Sequence, residues 1–245
     1  MKATLPSKTL NLLDSYLNLR IFHFSFACPY YQNISNKKSK PVFVGKGNPD
    51  EIQKETEKLL NSAINILDIQ SVRLYMVMAG LGIDCSGLVC RILDQYLEEK
   101  YNKSLKRSIK IPFYKPLLFI KCFLKPFTNI SANSLTSQTN TVKIDNYDDL
   151  VPSDLIRFGS THVVIIVEVE KENGKTKKIS YAHSTSSYLD QYGVRIGNIM
   201  ITNPNKPLES QKWNEVLDSK NWTLKNYLNS PKNDRGIRRI KSLTG

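Results

Sequence analysis

Cysteine and histidine are scarce, four and three in 245 residues. The cysteines, Cys28, Cys85, Cys90 and Cys122, form no CxxC pair and keep no regular spacing. Neither a zinc site nor a dense disulfide framework is signalled, so reduced thiols with no metal and no cofactor are expected. Long apolar runs are missing as well, and no stretch reaches the roughly 18 apolar residues of a membrane span. At the amino terminus Lys2, Lys8, Asp14 and Arg20 interrupt the apolar segments, and no small-residue cleavage site follows. That pattern argues against a secretory leader, so a soluble protein, cytoplasmic by default, is the expectation.

Acidic residues are in deficit: 22 Asp and Glu face 35 Lys and Arg, a net charge of +13. An excess of this size favours anionic partners through long-range attraction. Nucleic acid, anionic lipid and acidic wall polymers all qualify, and no recognised nucleic-acid motif selects the first. Core-forming material is plentiful, with 40% hydrophobic and 9% aromatic residues. The length suits one core with elaborations. Residues 1–70 read as an amino-terminal arm and helix packed on the core, and 71–245 as the catalytic unit with an insertion at about 98–147.

Residues 9–27 are apolar without a clear period and read as a structural arm. A short strand is expected at Pro41–Val44. Asn48, Pro49, Asp50 and Glu51 make a strong helix start, with a capping side chain, a proline at the first helical position and two acids at the positive end of the dipole. That helix is expected to run to about Leu67. Further on, Leu88, Ile92, Leu93, Tyr96 and Leu97 recur at helical spacing, and Asp84 is placed to cap them. Cys85 then falls in the first turn of a helix with a buried face.

The stretch 98–147 is rich in lysine, aromatics and proline and holds no single period; it reads as an insertion or lid. Its lysines form a solvated face, and its aromatics would permit stacking on bases or sugars. From Leu150 the pattern turns to β: 154–158, 162–169, a hairpin turn at Glu172-Asn173-Gly174-Lys175, 177–184, and a strand around 194–201. Helices followed by consecutive strands indicate an α+β fold with an antiparallel sheet.

A thiolate is the reactive form of cysteine, and a helix amino terminus favours it through unpaired N–H groups and partial positive charge. The same N–H groups can hold an oxyanion. Cys85 has that setting. His162 opens a strongly apolar strand and His183 ends the next, so the hairpin between them brings both to one end of the sheet. His23, between Phe22 and Phe24, reads as structural, and Cys28, Cys90 and Cys122 read as core packing.

Asp84-Cys85-Ser86-Gly87-Leu88-Val89 resembles the nucleophile motif of NlpC/P60 peptidases, which have a papain-like fold. Val151-Pro152-Ser153-Asp154-Leu155-Ile156-Arg157-Phe158 is similar to their P-G-D-L strand, with Ser153 in place of the usual glycine. His162-Val163 resembles their base motif, and Tyr181-Ala182-His183-Ser184 the strand that carries their third polar residue. The resemblance covers roughly residues 75–202. It implies a bacterial cysteine peptidase in which Cys85 is the nucleophile, His162 its base and His183 the orienting residue, with the nucleophile helix packed on an antiparallel sheet. It also implies Tyr75 as an oxyanion-hole candidate. Ser86 and Asp84 join it as candidates for oxyanion or substrate contacts, Asp84 first as the helix cap.

The expected reaction is hydrolysis of an amide bond, which the resemblance places in peptidoglycan stem peptides, reached by lysis or a non-standard export route. An anionic polymer is a possible partner for the Lys-rich surface. Two other readings stand: an amidase or acyltransferase of the same fold acting on another acyl group, and a non-catalytic basic protein that binds nucleic acid or membrane.

Overall fold

A computed structural model describes residues 1–32, 40–61, 68–110, 127, 129–188 and 191–243. Strand β1 (Lys2–Thr4) leads into helix α1 (Ser7–Leu17), then a small hairpin of β2 (Leu19–Ile21) and β3 (Phe24–Phe26). The apolar arm is thus half helix and half hairpin. Its Leu13, Tyr16, Leu19 and Ile21 are buried in the core, whereas His23 is exposed at the hairpin turn. Residues 1–32 belong to the main fold, because β1 pairs with a central strand and α1 packs on the helix that begins at Cys85.

The strand expected at Pro41–Val44 is a single 3-10 turn. Pro41 lacks a donor and has a fixed φ, which suit the first position of such a turn, and Gly45 at φ 74 ends it. Helix α2 (Pro49–Leu60) begins as the sequence predicts: Asn48 Oδ1 accepts from Glu51 N–H while the Glu51 carboxylate accepts from Asn48 N–H. The expected continuation to Leu67 lies outside the described residues beyond Asn61. Helices α3 (Ile69–Ala79) and α4 (Cys85–Tyr101) follow, joined by Gly80 at φ 81.

The stretch at 98–147 needs correction at both ends. Residues 98–101 continue α4, and β4 (Thr141–Ile144) is a strand of the main sheet. Between them lie the short helices α5 (Leu105–Ser108) and α6 (Ala132–Thr136). Of the proposed lid, residues 111–126, with Cys122, lie outside the described residues.

Strands β5 (Leu155–Phe158), β6 (His162–Glu172), β7 (Lys175–Thr185) and β8 (Gly193–Met200) form an antiparallel run where the sequence places strands. The β6–β7 turn uses Asn173 at φ 49 and Gly174 at φ 78, the two left-handed positions that Asn-Gly hairpins require. Two further strands were not legible. β9 (Lys212–Trp213) adds to β8, and β10 (Arg235–Ile240) inserts between β4 and β5, giving the order β4-β10-β5-β6-β7-β8-β9 with β1 beside β6. Helix α7 (Trp222–Asn229) connects the last two.

The apolar run of β6 is explained by burial on both faces. Val163, Ile165 and Val167 point into a core shared with α1 to α4, and Val164 and Ile166 into a second core with Phe158, Tyr181, Trp213 and Tyr227. A sheet covered on both sides needs no polar alternation along its central strand. The fold is therefore mixed α and β, with a large antiparallel sheet and α4 packed on one face.

Candidate active site

Asp84 caps α4, accepting Gly87 N–H on Oδ1 at 2.6 Å. The start of α4 is pressed against the Gly45–Lys46 backbone, with Asp84 N–H donating to Gly45 O at 3.0 Å. A Cβ on Gly87 would come within 2.1 Å of Gly45 O, so only glycine fits there. Lys46 Nζ lies 2.7 Å from Asp84 Oδ1 and also donates to Ser86 Oγ; all three side chains are buried. Ser86 is thus committed to the support behind the helix start, and Asp84 is the cap the sequence predicts.

Cys85 is the first residue of α4. Its Sγ donates to Thr161 O at 3.9 Å, and the Val163 N–H also bonds to the sulfur. The sulfur therefore rests on the backbone flanking His162. Among the described residues it makes no hydrogen bond to an imidazole nitrogen. Burial pushes the thiol up to about 12, with Asp84 adding to the rise and Lys46 and the N–H groups of Val163 and Ser86 opposing it. The sequence expectation of a lowered thiol pKa is corrected here, since desolvation outweighs the helix terminus. Cys90 is raised to about 12 by burial as well, and Cys28 is also raised by burial. Exposure separates the three: Cys28 and Cys90 are 0% exposed and Cys85 is 6% exposed.

His162 follows the two-residue period of β6 onto the face of Val164 and Ile166, edge-on to Phe158 at 5.1 Å between ring centres. His183 shares that face from β7. Their rings meet, Nε2 of His162 to Nδ1 of His183 at 3.1 Å. Burial, followed by the neighbouring His183, drives His162 down to about 3, with Glu215 opposing. The His162 ring is therefore neutral near pH 7.

Sequence reasoning missed Glu215. It lies just beyond β9 and is 2% exposed at its side chain. His183 Nε2 is 2.9 Å from its Oε1, Tyr181 Oη 2.6 Å and Thr223 Oγ1 2.8 Å from its Oε2. Burial acts to raise this carboxyl, but its neighbour His183 and the hydrogen bonds from His183, Tyr181 and Thr223 outweigh it and hold the group at about 2. No local pattern marks it, because the tyrosine and histidine it binds, Tyr181 and His183, lie 34 and 32 residues away on β7.

Tyr75 does not join these groups. It sits on α3, half exposed. The tyrosine beside Cys85 is Tyr30, bridged to Ile83; burial, followed by the neighbouring Cys85 and Asp84, raises its hydroxyl pKa. Tyr30, Thr161, His162, Thr185, Ser187 and Asn226 line part of a cavity of about 410 Å³ beside the imidazole pair. Among the described residues no three His, Cys, Asp or Glu side chains converge as a metal-ligand set, and no helix is long and apolar enough to cross a membrane.

The site is thus a buried thiol at a helix start, lying on the backbone that carries one imidazole of a bonded pair, beside an open cleft. No protein-family profile, curated protein or solved structure matches the chain.

Proposed function

We propose that the protein is a thiol hydrolase that cleaves an amide bond, with Cys85 as nucleophile, His162 as base and His183 as the residue that orients it. The observation that carries this reading is the seat of the Cys85 sulfur on the Thr161–Val163 backbone, with His162 between them and bonded to His183. The NlpC/P60-like motifs around these same residues add a substrate class, peptidoglycan stem peptides, and the +13 charge suits an anionic wall polymer.

In this mechanism the substrate carbonyl enters from the cleft. The Cys85 proton passes to His162 as sulfur bonds to the carbonyl carbon, because both groups rest neutral and no thiolate waits in advance. N–H groups at the start of α4 hold the oxyanion, while the Tyr30 hydroxyl donates to Gln32 Oε1 at 2.9 Å. His162 returns the proton to the leaving nitrogen as the C–N bond breaks. Water, deprotonated by His162, then attacks the thioester and releases the acid and the free thiol.

A second reading keeps the chemistry and changes the substrate. Thr161, Thr185, Ser187 and Asn226 give the cleft hydroxyl and amide groups, which favours an uncharged polar acyl group and an amidase or acyltransferase. Purified peptidoglycan and a panel of small acyl amides, each incubated with wild type and Cys85→Ala, test both. New amines from peptidoglycan, absent with the variant, support the wall reading. Amines from the small amides alone replace it with the second, and none from either removes the hydrolase assignment.

A further inference from the structure

We propose that Glu215 is a positioning residue that orders the protons along the imidazole pair and leaves His162 Nδ1 as the basic nitrogen of the site. The inference rests on the thiol hydrolase reading for its purpose, but its geometry stands independently of any substrate.

An ionised carboxylate only accepts hydrogen bonds. Glu215 Oε1 faces His183 Nε2 at 2.9 Å and Arg195 Nε at 2.5 Å, and Oε2 faces the hydroxyls of Tyr181 and Thr223. The Glu215 backbone carbonyl is held too, by Tyr188 Oη at 3.1 Å. Space for the carboxylate is cleared from β8, where a Cβ on Gly197 would lie 2.7 Å from Glu215 Oε2 and 2.4 Å from the Tyr181 hydroxyl.

His183 Nε2 must therefore carry hydrogen. Arg195 supplies a positive charge against the same oxygen, and the proposed order takes each imidazole with a single proton. With one proton per ring, His183 Nδ1 presents a lone pair, and His162 Nε2, 3.1 Å away, must donate to it. The proton of neutral His162 is then committed to Nε2, and the lone pair left to take the Cys85 proton is on Nδ1. The opposite order, with hydrogen on His183 Nδ1, would place a proton on His162 Nδ1 and disable it as a base there. Glu215 excludes that order because it has nothing to donate to His183 Nε2.

Imidazole ¹⁵N NMR of wild type and Glu215→Gln at neutral pH reads the proton positions directly, and iodoacetamide labelling followed by peptide mass spectrometry reads Cys85. In wild type both rings should be the Nε2–H form. In Glu215→Gln the pair should show a share of the Nδ1–H form, and Cys85 labelling should slow by roughly tenfold or more, as expected when a base loses its tautomer. Thr223→Val removes one bond to Glu215 and keeps the charge; it should keep the wild-type proton order. Wild-type His183 found with hydrogen on Nδ1 overturns the proposal even if the glutamine variant does not fold, and so does a folded Glu215→Gln with wild-type tautomers and labelling. The expected tautomers combined with Cys85 no faster than Cys28 and Cys90, and no hydrolysis, would uphold the proton order and remove the hydrolase reading instead.

Discussion

His162 Nε2 and His183 Nδ1 stand 3.1 Å apart, with their rings inclined at 75°. Replacing His183 by alanine takes away the acceptor that orients the base. The expected result is a fall in kcat by roughly a hundredfold, within the usual range for general-base catalysis, with KM little changed. His183→Asn, which can offer an oxygen near the same place, should recover part of the loss. Steady-state kinetics on whichever substrate yields amines in a Cys85-dependent way check this, and equal kcat for wild type and His183→Ala would rule out an orienting role.

Stability should depend on acid through the same pair. His162 drops from the usual 6.5 to about 3 on folding, so the unfolded chain binds a proton that the folded chain refuses. Its contribution is complete above pH 6.5 and is lost as pH falls toward 3. Glu215, lowered from 4.5 to about 2, adds a second loss that begins only below about pH 4.5. Urea unfolding across this range should show stability declining in two stages. In His162→Gln the upper stage should vanish and the lower one remain.

Lys46 and Asp84 form a buried ion pair directly behind Cys85, with side chains 5% and 11% exposed. Lys46→Met leaves the Asp84 charge without its partner, which should cost on the order of 3 kcal/mol. It should also slow iodoacetamide labelling of Cys85, since Lys46 opposes the rise in the thiol pKa. The double variant Lys46→Met/Asp84→Asn should be more stable than the sum of the single changes, the signature of direct coupling.

Ser153 adopts φ 88, its hydroxyl has no hydrogen-bond partner among the described residues, and it is 1% exposed. A left-handed conformation and an unsatisfied buried hydroxyl both disfavour serine there. Ser153→Gly should raise stability by about 1 kcal/mol after glycine's greater unfolded entropy is allowed for. Thermal unfolding should shift upward by about 2–4 °C in a chain of this size. A lowered Tm would show that the serine is held by something other than local geometry.

Legibility in the sequence followed the range of the forces involved. Asn48, Asp84 and Asn173-Gly174 act within a few residues, and the helix starts and the hairpin appear where they predict them. The two histidines could be placed together because one hairpin determines their spacing. Pro41–Val44 read as a strand because a four-residue apolar segment carries no period, and Pro41 with Gly45 settles it as a turn. The lowered thiol pKa failed for a different reason: a helix terminus is local and visible in sequence, whereas the desolvation that overrides it depends on everything packed around Cys85. Glu215 and Tyr30 were invisible because only the folded sheet brings them beside His183 and Cys85.

The position of β10 has a bearing on the order of events during synthesis. Residues 235–240 fill the gap between β4, which ends at Ile144, and β5, which ends at Phe158, so both neighbours are made well before β10 begins at Arg235. Until they emerge, β5 keeps an unpaired edge and Arg157 lacks its Asp234 partner. Glu215 also arrives late, after the cysteine and both histidines are already in the chain. A nascent polypeptide thus carries Cys85, His162 and His183 well before Glu215 and β10, so the proposed site is complete only once residues 215–240 have been made.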